Sequence, residues 1–385
     1  MRSVKLIFFA LLLSAQSYGQ AASSPSSAPV QATSPASTAT SAAPANTPKA
    51  DSPAEPALPA DPIAIFDMAT PVYDFASSKL TPWHISVSYQ LFDDKNQPAI
   101  TGTYDYWWAS PDTYRSSWKR GGSERTDLHV KGEHYVAEKG GQISLLELRI
   151  EKELLAPLPK KDELNPEKVE FTRQEQTVRN TKVPCVMVTP KMQSDAAAEK
   201  APMGMFPTYC FSPSHPILVT YYAYGSTALV YDQVAEMQGM YLARSLTVFE
   251  NRKHILSAKV DMLVSLKDGA KEFAVTPEMK LVKDRRINVS SGVAVGQLLK
   301  KVPPIYPQDA REKHISGVVV LEATIGVDGR VHELSAVSGP SPSLVAAAMG
   351  AVARWEYEPF VFQGELTEMH TNIDVIYTED KPAAK

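Results

Sequence analysis

The residues best suited to chemistry in this 385-residue chain are few and scattered. His129 and His134 stand five apart with Glu133 between them, a set that a divalent cation accepts and that solvent-facing polarity explains equally well. Cys185 and Cys210 are the two cysteines, and neither has a second cysteine or a histidine at the spacing of a zinc site. No His-Glu-x-x-His run, Gly-x-Ser-x-Gly elbow or phosphate-cradling loop occurs, and Gly292, Gly296 and Lys300 are wrongly spaced for a P-loop. Carboxylates are plentiful, but no pattern pairs them for hydrolysis. The expectation is a binding protein with no catalytic residue, metal ligand or cofactor site.

Charge narrows the class of partner. The net charge is −4, with 8 Lys+Arg against 12 Asp+Glu from Ile287 onward and 31 against 31 before it. No basic face is advertised, which argues against nucleic acid and anionic headgroups. Two cysteines suit a single bridge in an oxidising compartment. Each lies in an apolar, strand-like stretch, Val183 to Val188 and Tyr209 to Phe211, so a Cys185–Cys210 disulfide between sheet neighbours is expected.

Residues 1–21 read as a signal peptide: Arg2 and Lys5 supply positive charge, Leu6 to Leu13 is an apolar core, and Ser17, Gly19 and Ala21 offer cleavage sites. The apolar run is about 10 residues against the roughly 20 of a spanning helix, which favours export to the periplasm over a retained inner-membrane anchor. Residues 22–62 are almost wholly Ala, Ser, Pro and Thr, with too few large apolar side chains to offset the entropy of ordering, and are expected to be a disordered tether.

From residue 63 to 285 the pattern becomes short alternating runs. In Trp83 to Phe92, Ile85, Val87, Tyr89 and Leu91 take one face and His84, Ser86, Ser88 and Gln90 the other. His254 to Leu266 alternates in the same way, and further strands are expected at Tyr104 to Trp108, Tyr114 to Lys119, Ile217 to Tyr224 and Leu242 to Phe249. Ile143 to Leu155 fits either a strand or a helix. So many antiparallel strands from one segment must curl over their own apolar face or be covered by a helix, which predicts an antiparallel, strongly curved open sheet. The order of aromatic strands, with Tyr114-Arg115-Ser116-Ser117-Trp118, resembles the LolA-like lipoprotein carriers. That resemblance implies a half-barrel able to shelter a lipid or other apolar ligand.

Residues 292–379 read as a second, smaller domain, making the whole α+β. Pro303, Pro304 and Pro307 fix its entry and a short helix is expected from Gln308 to His314. Asp328-Gly329 turns the strand Gly317 to Ile325 back as Val331 to Val337, and Ser341-Pro342 starts a helix running to Arg354. A final strand over Glu368 to Tyr377 alternates polar and apolar residues.

Pro304, Tyr306, Pro307, the strand Gly317 to Ile325, the turn Asp328-Gly329 and the run Ala353-Arg354-Trp355-Glu356-Tyr357-Glu358-Pro359 together resemble the C-terminal domain of the TonB family, over roughly Gly292 to Tyr377. The resemblance implies a partner-binding module whose last strand takes up a short peptide from an outer-membrane transporter or other envelope protein. It carries over Glu368, His370, Asn372, Asp374 and Ile376 as the docking edge. Ile305, Tyr306 and Pro307 stand where the family has Gln-Tyr-Pro near the peptide, the glutamine having become isoleucine. The same edge leaves room for a homodimer or for pairing against the middle domain. The leading expectation is a periplasmic coupling protein of TonB-dependent transport. The alternative is a periplasmic carrier using its C-terminal module as an adaptor.

Overall fold

The computed structural model describes residues 57–191, 201–224, 227–267, 269, 271–282, 286–363 and 365–378. The expected signal peptide and most of the expected tether lie outside the described residues. Helix α1 (Pro62–Ala69) opens the fold, with Pro62 in its first turn and the Asp61 carboxylate accepting from the Ile63 amide at 3.2 Å. Strands β1 (Trp83–Phe92), β2 (Pro98–Ser110), β3 (Thr113–Arg120), β4 (Ser123–Val130) and β5 (Glu133–Lys139) follow as a meander. Helix α2 (Leu145–Leu155) then interrupts them. Seven further strands complete the run: β6 (Val169–Val178), β7 (Thr181–Pro190), β8 (Thr208–Phe211), β9 (Leu218–Ala223), β10 (Thr227–Met237), β11 (Met240–Glu250) and β12 (Lys253–Ser265). With the short β13 (Lys280–Val282) they form one antiparallel sheet in the order β13-β5-β4-β3-β2-β1-β12-β11-β10-β9-β8-β7-β6. Four of its hairpins turn on adjacent residues with positive φ: Lys131-Gly132, Arg179-Asn180, Gln238-Gly239 and Asn251-Arg252. That turn geometry matches the right-handed twist of the flanking strands.

Helix α2 settles the ambiguity left at Ile143 to Leu155. Ser144 caps it, its Oγ accepting from the Glu147 amide while the Glu147 carboxylate accepts from the Ser144 amide at 2.7 Å, a reciprocal capping box. The helix also shows that the sheet is curled. Glu147 reaches Arg120 on β3 and Glu153 reaches Tyr231 on β10, six residues or about 9 Å apart along the axis. Those two strands are five steps apart in the sheet, about 24 Å if it were flat. The sheet therefore wraps around α2, and Trp83, Tyr89, Tyr104, Trp108, Phe66, Ile150 and Leu154 fill the enclosed side.

On the opposite face Cys185 of β7 stands opposite Cys210 of β8, and their sulfurs are bonded at 2.01 Å. Val183 and the bridge form a small apolar cluster there. The disulfide spans 25 residues and ties neighbouring strands near the β6 edge.

The chain continues through β14 (Arg286–Asn288), α3 (Ser291–Gly296), β15 (Leu298–Lys300) and α4 (Gln308–Glu312) into β16 (Gly317–Ile325) and β17 (Val331–Ser338). Helix α5 (Pro342–Val352), the short strands β18 (Glu356–Tyr357), β19 (Val361–Phe362) and β20 (Glu365–Leu366), and β21 (Glu368–Tyr377) complete the described residues. The main sheet here has the order β14-β21-β16-β17. Ser341 Oγ accepts from the Leu344 amide at 3.3 Å and Pro342 occupies the first turn of α5, whose Leu344, Val345, Ala348 and Met349 are buried against Val319, Leu321, Ile373 and Val375. Trp355 lies in this core and donates from Nε1 to the Val302 carbonyl at 2.8 Å. Gly329 has φ +76°, and a Cβ there would sit 2.0 Å from the Tyr357 carbonyl oxygen, so this turn tolerates only glycine. Both helices end earlier than the sequence suggests, at Glu312 and Val352, because His314 takes a positive φ and Ala353 caps α5.

The two cores touch. Met187 and Phe206 of the large sheet region are buried among the side chains of the small domain. Arg354 pairs with Glu250 at 2.5 Å, and the Arg330 guanidinium donates to the Ile143 carbonyl.

Candidate functional site

Strand β21 pairs antiparallel with β16 from Met369, opposite Ile325, to Tyr377, opposite Gly317. Its other flank is the expected docking edge, and it is not wholly open. Arg286, Ile287 and Asn288 of β14 pair in parallel with Glu368, Met369 and His370, and the Val289 amide donates to the His370 carbonyl at 2.9 Å. The expectation of a free edge over all of Glu368 to Tyr377 is corrected accordingly: the first three residues are taken by the chain's own backbone, and α3 lies beside the strand as well.

What is left follows from the two-residue period of a strand. The His370 carbonyl points to the β14 side, so the amides and carbonyls of Asn372, Asp374 and Ile376 point the same way. Among the described residues no backbone hydrogen bond reaches that flank beyond His370. The same period puts the side chains of Asn372, Asp374 and Ile376 on the exposed face, Ile376 being 67% exposed, while Thr371, Ile373, Val375 and Tyr377 are buried. The Thr371 hydroxyl donates to the Asn372 carbonyl at 3.3 Å, leaving that oxygen a second lone pair.

Tyr306 brings the Ile305-Tyr306-Pro307 segment to the far end of this strand. Its ring meets that of Tyr377 edge-on at 5.5 Å, its hydroxyl donates to the Ile315 carbonyl at 2.6 Å, and the Arg311 guanidinium lies 5.7 Å from its ring centre. Ile305, the residue in the glutamine's place, is 72% exposed, and Pro307 caps α4 with extended backbone. Of the expected docking residues, the fold thus brings Tyr306 to the open end of the strand and aligns Asn372, Asp374 and Ile376 along it. It covers the backbone of Glu368 and His370.

Electrostatics concentrate at the covered end. Arg286 lies 3.2 Å from Glu333 and 3.3 Å from Glu368, and His370 Nε2 is 3.1 Å from Glu322. Partial burial works against the ionised Glu333 carboxyl, but the Thr324 hydroxyl and Arg286 outweigh it and hold that carboxyl below its usual range. Sequence reasoning missed Arg286 because three strand residues in a linker carry no periodic signal.

Residues 302–378 match the family model of the Gram-negative bacterial TonB protein C-terminal. The small domain is TonB-like. Among solved structures, the Pseudomonas aeruginosa TonB C-terminal domain is 29% identical over 22% of this chain and 88% of its own, with a TM-score of 0.20. A LolA superfamily protein from Nitrosomonas europaea is 8% identical over 55% of this chain and 97% of its own, with a TM-score of 0.33. A DUF1329 family protein from Desulfovibrio piger is 12% identical over 55% and 96%, with a TM-score of 0.34. No curated protein matches the chain.

The large sheet offers less to a ligand. Its enclosed side is filled by α1, α2 and the aromatic core, with Phe66 edge-on to Tyr209 and Phe211 at 5.4 and 5.8 Å. A depression of about 410 Å³ is lined by Gly204, Tyr222, Ala223, Thr227, Ala228, Phe249 and Arg252. His129 and His134 face one another across the β4–β5 hairpin with rings 4.1 Å apart, and His134 Nε2 is 3.2 Å from Asp127. Among the described residues no group of three His, Cys, Asp or Glu is placed to hold a metal ion, and no helix is long and apolar enough to cross a membrane.

Proposed function

We propose that this protein works in the periplasm as a TonB-like docking protein, its C-terminal domain taking up an extended segment of an outer-membrane transporter as an added strand beside β21. The observation that carries this reading is the row of outward backbone groups at Asn372, Asp374 and Ile376. An unpaired ladder of donors and acceptors binds an extended peptide through its main chain, and flanking side chains set its preference. Asp374 and Ile376 supply one acidic and one apolar contact at the open end, with Tyr306 packed nearby. The large curled sheet serves as the body to which the docking domain is fastened, through the shared Met187 and Phe206 contacts and the Arg354–Glu250 pair. A carrier role for that sheet is the weaker reading, since α2 occupies the space that an acyl chain would need.

Proline tests the docking edge without touching the fold. At Asp374 the amide points outward, so Asp374→Pro removes a donor that β16 does not use, and proline is tolerated at that kind of edge position. Titration calorimetry of the full chain against peptides from the periplasmic N-termini of outer-membrane transporters should give affinity at least about tenfold weaker for Asp374→Pro, the loss of one to two main-chain bonds. Thermal unfolding should stay close to that of the wild type. Equal affinity for the two proteins would remove the docking proposal.

A further inference from the structure

The strand that covers the start of the docking edge is the least secured element of the C-terminal sheet. β14 is three residues long, Arg286 and Asn288 are exposed, and Ile287 is half-buried, so little apolar surface holds it in place. Its backbone nevertheless runs parallel to β21 with regular register, and its Arg286 sits between the Glu333 and Glu368 carboxylates. Glu322, Glu333 and Glu368 share the exposed face of this sheet; Arg286 pairs with Glu333 and Glu368 and His370 with Glu322, while Lys160 adds positive charge near Glu333 and His332 lies near Glu368 without a direct pair. A strand that arrived here without a cation would leave Glu333 and Glu368 without the guanidinium that lies within 3.3 Å of both.

Given the docking reading above, we propose that Arg286–Asn288 is a built-in competitor for the β21 edge, and that the partner strand which displaces it carries an arginine or lysine to take over Glu333 and Glu368. A partner limited to the open stretch meets the outward groups of Asn372, Asp374 and Ile376 alone. A partner that evicts β14 gains those of Glu368 and His370 as well, and extends over the full strand. The resident segment therefore sets a threshold: short or acidic strands fail to open the edge, and longer strands with a suitably placed cation succeed. Apparent affinity falls by the fraction of molecules whose edge is open, so weakening β14 raises it for any strand that spans the covered end.

The probes are two ten-residue synthetic peptides of alternating valine and threonine that differ in a single near-terminal position, arginine in one and glutamate in the other. Full-length wild type is compared with a Val289→Pro, Arg286→Ala variant, which loses the donor to the His370 carbonyl and the ion pairs but none of the β16–β21 ladder. The opened variant should bind the arginine peptide about tenfold more tightly than wild type does. Wild type should prefer the arginine peptide to the glutamate peptide, and Glu333→Gln with Glu368→Gln should erase the preference. Arg286→Glu alone, which keeps the backbone donor, should shift affinity in the same direction by less, and this guards against a general loosening of the domain by proline. Equal binding of the arginine peptide to wild type and opened variant overturns the competitor. Equal binding of the two peptides to wild type overturns the cation requirement. Failure of both proteins to bind either peptide in a manner sensitive to Asp374→Pro removes the docking reading itself, and this proposal with it.

Discussion

Glu147→Ala is expected to lower the unfolding free energy by about 3–5 kcal/mol, read from urea denaturation of the full chain. Glu147 is completely buried and has four partners: the Ser144 amide at 2.7 Å, the Ser144 hydroxyl at 2.6 Å, the Tyr89 hydroxyl at 2.7 Å and Arg120 Nε at 2.9 Å. The first two start α2, and the last two hold that start against β1 and β3. Removing the carboxylate leaves Arg120 beside an apolar core with no counter-charge and Tyr89 with a buried hydroxyl lacking its acceptor, and each orphaned group costs its own desolvation. Burial together with the Glu147 contact raises the Tyr89 hydroxyl well above its ordinary range, so this phenol stays protonated and remains a donor. Glu147→Gln, which keeps the shape and one acceptor, should lose less. A loss below about 1 kcal/mol for the alanine variant would mean that the curled sheet does not depend on α2 being seated by this residue.

How far such a fold can be read from sequence depends on where its signals lie. β1 was legible from end to end because one face is buried and the other is polar, giving clean alternation over Trp83–Phe92. β6 was not, because it is an edge strand whose Glu170, Arg173 and Glu175 blunt the alternation, and its turn, Arg179-Asn180, reaches positive φ without glycine. The β11–β12 turn, Asn251-Arg252, also lacks glycine, but the alternating runs on either side of it mark its place. Helix α2 was ambiguous because Glu147, Arg149 and Glu153 read as a solvent face, whereas Arg120 and Tyr89, which meet Glu147, and Tyr231, which meets Glu153, come from distant strands and turn that face inward.

The docking edge was legible in direction but not in extent. Alternation in Glu368–Tyr377 announces a half-buried strand, and strand order near the C-terminus suggests that it borders the sheet. What closes part of that border is Arg286–Asn288, which falls between the expected domains at 63–285 and 292–379 and is too short to carry a period. The consequence is physical: an edge that is partly self-paired is shielded from indiscriminate pairing while a competing strand still finds three residues on which to begin.

The pH profile of stability should carry the mark of Glu151, one turn along α2 from Glu147. Part of this residue reaches solvent, but its Oε2 is shut off from water and has no hydrogen-bond partner among the described residues. Burial pushes its carboxyl up to about 7 from an ordinary 4.5, with the negative charge of Asp127 adding to the effect and Ser116, Tyr104 and Arg125 opposing it. A folded-state value above the unfolded one means that the folded protein holds the proton more tightly. Stability from this group is then fully present below about pH 4.5 and is lost as pH rises through about 7. The size is about 2–3 kcal/mol, the full shift being trimmed for partial exposure. Glu151→Gln should be more stable than wild type by that amount at pH 8 and nearly equal to it at pH 4.5. Asp127 does not share the window, since His134 and Arg125 outweigh its burial and hold it low, so its contribution is lost only as pH falls further into the acid range. His332 does share it: Asp328 at 2.9 Å holds the imidazole above 6.5, and that stability also disappears as pH rises. Comparing Glu151→Gln with His332→Gln separates the two, because only the first removes a penalty and gains stability at high pH, while the second loses stability at low pH. A flat difference between wild type and Glu151→Gln from pH 4.5 to 8 would mean that the buried carboxyl ionises as freely in the folded chain as in the unfolded one.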